Sequence, residues 1–147
     1  NHFFLNEDAP ASIEHTNGLM SLVLQNNGDC FVNAVIIPPS DWDGDSVRVK
    51  VRVRSSGETS DHVVLNVKLF SWPSASSEDG PVGGVNNQVD VPLFSTNPAV
   101  LVSDLVVAEV PEGYTPDKAL TLTISADIAA STAGMETRIV AVEYEFV

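Results

Sequence analysis

Residues Ser46-Val47-Arg48-Val49-Lys50-Val51-Arg52-Val53-Arg54 alternate polar and apolar without a break over nine positions. A helix of about 3.6 residues per turn would scatter the valines around its axis, whereas on a strand successive side chains point to opposite faces. Val47, Val49, Val51 and Val53 therefore share one face, and Arg48, Lys50, Arg52 and Arg54 share the other. A chain with this segment at its centre must supply a second apolar surface to cover the valines.

The same rhythm recurs along the chain. Val63-Val64-Leu65-Asn66-Val67-Lys68-Leu69-Phe70-Ser71-Trp72 puts Leu65, Val67 and Leu69 on one side. The stretch between the two strands, Ser55-Ser56-Gly57-Glu58-Thr59-Ser60-Asp61, has turn composition, so the pair reads as an antiparallel hairpin. A second hairpin is expected from Ala119–Ala126 and Thr137–Val147, joined through Ser131-Thr132-Ala133-Gly134. Leu19–Leu24, Cys30–Ile37, Ala99–Val102 and Leu105–Ala108 add further strands, and Pro92 marks Val89–Leu93 as an edge strand. The one helical candidate, Asp127-Ile128-Ala129-Ala130-Ser131, is a single turn. About eight strands separated by turn signals make this an all-β chain, an antiparallel β-sandwich of jelly-roll-like type. Residues 19–147 form the sandwich domain, and residues 1–18 form an N-terminal arm or an extra strand. Residues 73–84, rich in Ser, Gly and Pro, read as a loop excursion.

With 147 residues and 44% hydrophobic content, the chain can bury a core. Its first residues carry no basic, apolar leader pattern, and no apolar run reaches the roughly 20 residues of a membrane helix. The net charge of −13 repels phosphate backbones and anionic lipids, which argues against nucleic-acid and membrane partners. It favours solubility, or a basic partner. A single cysteine, Cys30, excludes an intrachain disulfide and reads as a small buried hydrophobe.

Four of the seven cations lie on the Arg48, Lys50, Arg52, Arg54 face. Two readings fit: cross-strand pairing with acidic neighbours such as Glu143 and Glu145, or an interface meeting an acidic partner that includes another copy of the chain. Phe3-Phe4-Leu5 is either an arm docking on a neighbour or a strand added to the same domain.

Chemistry is sparse. His2, His15 and His62 stand on separate segments without metal-ligand spacing. No Gly-x-Ser-x-Gly elbow or dinucleotide fingerprint occurs. Asp41-Trp42-Asp43-Gly44-Asp45 places three carboxylates at alternate positions, a calcium candidate, but the glycine comes too early for a helix-loop-helix calcium loop. The alternative is a polar turn with Trp42 folded back as a cap. Trp42, Trp72, Tyr114 and Tyr144 would serve as a sugar-stacking platform or as core and interface residues. No cofactor and no catalytic residue is expected. A hydrolase would need two converging carboxylates in a cleft, and neighbours on one segment do not supply them.

The segment Val35-Ile36-Ile37-Pro38-Pro39-Ser40-Asp41-Trp42-Asp43-Gly44-Asp45-Ser46-Val47-Arg48-Val49 resembles β-sandwich virion proteins of tailed bacteriophages, in which a turn of the Asp-Trp-Asp-Gly kind leads into an alternating strand. Pro116–Ile124 and the closing Thr137–Tyr144 strand resemble the same proteins, so the likeness runs over residues 35–147. Where such proteins often carry an Arg-Asp pair, this chain has Ser125-Ala126-Asp127-Ile128. The resemblance implies a jelly-roll domain, commonly trimeric, on a capsid or tail surface, partnered by itself and by a major capsid or other virion protein. The resulting expectation is a non-enzymatic capsid decoration subunit located on the virion. The alternative is a carbohydrate-binding module of a phage fibre or secreted protein.

Overall fold

In a computed structural model of the chain, residues 2–5, 12–16, 18–24, 31–54, 62–73, 80–92, 99–127, 131 and 137–147 are described. They form strands β1 (His2–Leu5), β2 (Ser12–Thr16), β3 (Leu19–Leu24), β4 (Phe31–Ile36), β5 (Ser46–Arg54) and β6 (His62–Trp72). The order continues with β7 (Val82–Gly83), β8 (Asn87–Pro92), β9 (Val100–Val102), β10 (Val106–Glu109), β11 (Ala119–Asp127) and β12 (Thr137–Phe146).

The strands make two antiparallel sheets packed as a sandwich, each with five strand positions. The first sheet runs β1-β4-β11-β6, and β8 and β7 share the outer edge of β6 end to end. The second runs β2-β3-β12-β5, and β10 and β9 share the outer edge of β5 in the same way. Setting aside β1 and β2, which extend the sheets beside β4 and β3, β3-β12-β5-β10 faces β4-β11-β6-β8. This is the interlocked order of a jelly roll, so the fold class read from periodicity holds.

Both expected hairpins are corrected. β5 pairs with β12, β10 and β9, whereas β6 pairs with β11, β8 and β7. β11 and β12 likewise lie in different sheets. The physical reason is burial. Val47, Val49, Val51 and Val53 on one sheet, and Val63, Leu65, Val67 and Leu69 on the other, are all at most 1% exposed. The two apolar rows lie on opposite sheets and cover one another, and alternation alone does not say whether the next strand lies beside β5 or across from it.

β12 breaks the two-residue rhythm. A bulge between Ile139 and Ala141 inserts a residue opposite β5, so Thr137 and Ile139 point inward before it and Val142 points inward after it. β8 is an edge strand, as Pro92 requires: it ends the strand opposite His62 and owes no further ladder bond. The excursion after Trp72 is partly strand: β7 pairs with Phe70 and Ser71, and Gly84 N–H donates to Leu69 O at 2.8 Å. Of the helical candidate, Ile128–Ala130 lie outside the described residues; Ser131 N–H donates to Asp127 O at 3.0 Å.

Candidate functional site

The loop before β5 folds back over one end of the sandwich. Trp42 N–H donates to Pro39 O at 3.1 Å, and Gly44 takes a left-handed φ of 86°. The alternation of the turn leaves Asp41, Asp43 and Asp45 exposed and turns Trp42 inward. Its indole packs on Tyr114 (5.8 Å between ring centres) and edge-on to Phe146 (4.9 Å), which meets Tyr144 (5.7 Å). Trp42 is thus a cap. Three of the four aromatics considered for a sugar platform belong to this cluster and pack against the core. No group of three or more His, Cys, Asp or Glu able to hold a metal occurs among the described residues.

Burial raises the Tyr114 phenol above its ordinary value, and the nearby Asp117 adds to the effect. Asp117 is itself lowered, first by the Thr115 hydroxyl, then by its own backbone N–H and by Lys118. His62 opens β6, and His2 and His15 lie on β1 and β2. Cys30 lies outside the described residues.

The outer face of the second sheet carries the basic row. Glu143 stands opposite Lys50 and Glu145 opposite Arg48. Arg52 donates from Nε (3.3 Å) and Nη2 (2.9 Å) to Glu143 Oε1, and Arg48 lies 3.8 Å from Glu145. The cross-strand pairing read from the sequence is therefore present. Beside the basic row, on the edge strands, runs an apolar fringe that the sequence reading did not single out. Val100 is opposite Arg54, Val102 opposite Arg52 and Val107 opposite Arg48, with Leu105 between the last two. These four side chains are 41–49% exposed. Phe3, Phe4 and Leu5 lie on β1, paired with Ala34, Asn33 and Val32 of β4.

The outer face of the first sheet holds a hollow of about 560 Å³ lined by Phe31, Asn33, Asn66, Lys68, Phe70, Trp72, Pro81, Asn86, Thr121, Thr123 and Ser125. A second hollow of about 300 Å³ shares Asn33, Trp72 and Thr121 with it. Register explains the convergence: Asn33, Thr123 and Lys68 form one row across β4, β11 and β6, and Val35, Thr121 and Phe70 form the next. Trp72 is 45% exposed, and its indole N–H donates to Thr121 Oγ1 at 3.0 Å. Of this set the sequence reading names only Trp72 as a candidate. The available signal was the presence of Phe70 and Trp72 on the outward positions of a strand.

Compared with models of protein families, with curated proteins and with solved structures, the chain matches none.

Proposed function

We propose that this protein is a structural subunit of the capsid-decoration type, which self-associates into a symmetric oligomer on a particle surface and catalyses no reaction. The observation that carries the reading is the exposed apolar fringe Val100, Val102, Leu105 and Val107 along the outer edge of the second sheet, beyond which no strand pairs among the described residues. An edge strand with unpaired backbone groups and exposed aliphatic side chains is a liability for a monomer and a ready contact for a second copy. The adjoining charged row, Arg48 to Arg54 with Glu143 and Glu145, would rim that contact and fix its orientation, as polar rims do around apolar interface centres. Closed symmetry would satisfy the fringe on every copy. The jelly-roll order suits such a building block, and the resemblance over residues 35–147 directs it to a virion, with itself and a capsid or tail protein as partners.

The test is light scattering on the full chain over a range of concentrations, beside Val102→Asp and Leu105→Asp. A discrete oligomer that both variants reduce to monomers, with unchanged circular dichroism, supports the reading. A wild-type chain that stays strictly monomeric at high micromolar concentration and does not bind particles overturns it.

A further inference from the structure

We infer that the paired hollows on the outer face of the first sheet are a binding site for a neutral oligosaccharide, stacked on Trp72 and hydrogen-bonded by Asn33 and Asn66. This site lies on the opposite sheet from the apolar fringe and does not rest on the assembly reading.

The shape fits an extended ligand. The two hollows share Trp72, Thr121 and Asn33, so the indole stands between two adjoining compartments rather than at the bottom of one. The larger, at about 560 Å³, falls within the size range of small-molecule sites. The ring is half-exposed yet held in orientation by its bond to Thr121. A half-exposed aromatic ring held in one orientation suits the C–H-rich face of a pyranose ring, and Phe31 and Phe70 extend the apolar lining.

The polar lining is pre-ordered and leaves donors over. Asn66 Oδ1 accepts from Asn86 Nδ2 and from Gln88 Nε2, both at 3.0 Å, and Gln88 Nε2 also donates to Asp127 Oδ2 at 2.8 Å. Asn33 Oδ1 accepts from Thr123 Oγ1 at 2.5 Å. Each asparagine carbonyl is thereby engaged, which turns its NH₂ group toward other partners. Among the described residues these NH₂ groups make no hydrogen bond. Amide donors held in place by neighbours can meet sugar hydroxyls at little entropic cost.

Charge and position select the class. Among the described residues Lys68 is the one cation in the lining, its Nζ lies 4.9 Å above the Phe70 ring, and the chain as a whole carries −13. Polyanions, including nucleic acids and sulfated glycans, are repelled by that field. A peptide adding as a strand would need an open backbone edge, and this site lies on the face of β4, β11 and β6, all internal strands.

The experiment applies the full-length chain to an array of immobilised neutral oligosaccharides and measures the best binder by calorimetry. Binding that falls about tenfold or more in Trp72→Ala and in Phe70→Ala, and by a smaller factor in Thr121→Val, supports the site, provided circular dichroism is unchanged. Using both aromatic variants guards against one of them failing to fold. Val102→Asp, which tests assembly, leaves the per-chain affinity unchanged, so the two proposals fail separately. No binding to any neutral oligosaccharide, binding confined to anionic glycans, or burial of Trp72 fluorescence on self-association would each overturn the inference.

Discussion

Ser103 completes the hydrogen bonding of Val51 in the gap between β9 and β10. Val51 N–H donates to Ser103 Oγ at 2.9 Å, Ser103 N–H donates to Val51 O at 2.8 Å, and the hydroxyl donates to Asp104 O at 2.9 Å. Val51 is fully buried, so its backbone N–H has no recourse to water if the hydroxyl is removed. Ser103→Ala should lower unfolding free energy by about 1–3 kcal/mol in urea titrations, the cost of an orphaned buried donor. Asp104→Ala, which keeps the accepting carbonyl and alters only an exposed side chain, should change it by no more than about 0.5 kcal/mol. Equal effects would assign the loss to the loop rather than to the hydroxyl.

The turn before β5 is held from the far end of the chain. Trp42 Nε1 donates to Val147 O at 2.9 Å, and Ser46 and Val147 exchange backbone bonds at 3.3 and 2.9 Å. Gly44, at φ 86°, lies where an added Cβ would sit 3.4 Å from the Tyr114 ring. Gly44→Ala should therefore cost about 1–2 kcal/mol from the left-handed backbone alone. Trp42→Ala should cost about 2–4 kcal/mol, because it removes both the ring packing and the bond to Val147. Denaturant midpoints check both. A neutral Trp42→Ala would show that the cap is not part of the stabilising core.

Tyr114 gives a pH-dependent prediction. Its hydroxyl is buried with no hydrogen-bond partner among the described residues, and burial raises its ionisation above the ordinary 10.0. The unfolded chain ionises this phenol first as pH rises. The stability contributed by the neutral form is therefore fully present below pH 10 and drains away as pH climbs toward the higher folded-state value. Tyr114→Phe should match or exceed the wild type at neutral pH, by up to about 1 kcal/mol, because it deletes an unsatisfied polar atom. It should also flatten the alkaline loss of stability. Destabilisation by Tyr114→Phe at neutral pH would mean that the hydroxyl is bonded after all.

How much of this was readable beforehand follows from what alternation encodes. A two-residue rhythm says which side chains face inward, and Val47–Val53 and Leu65–Leu69 obeyed it. It does not say which strand lies alongside, so β5 with β6 looked like a hairpin although the chain crosses between sheets there. The run Ile139-Val140-Ala141-Val142 was readable as strand, but four apolar residues in a row hide the bulge that changes its inward face. The groove was illegible for a related reason. Asn33, Asn66 and Thr123 are unremarkable as outward polar residues, and only the register of β4, β11 and β6 brings them beside Trp72. The charge ladder was legible, because Glu143 and Glu145 share the spacing of Lys50 and Arg48 and antiparallel pairing sets them opposite.

That ladder should be unequal in strength. Arg52 reaches Glu143 through two nitrogens, at 2.9 and 3.3 Å, whereas Arg48 approaches Glu145 only to 3.8 Å. Both pairs are solvated, so neither exceeds the range of surface ion pairs. A double-mutant cycle on Arg52→Ala and Glu143→Ala should return a coupling of about 0.5–1 kcal/mol, and one on Arg48→Ala and Glu145→Ala about 0–0.3 kcal/mol. Raising the salt to about 1 M shortens the screening length to about 3 Å and should shrink the first value toward the second. If the Arg48 cycle instead equals the Arg52 cycle, or if the Arg52 coupling persists at high salt, the geometry seen across β5 and β12 is not the one that determines their energies.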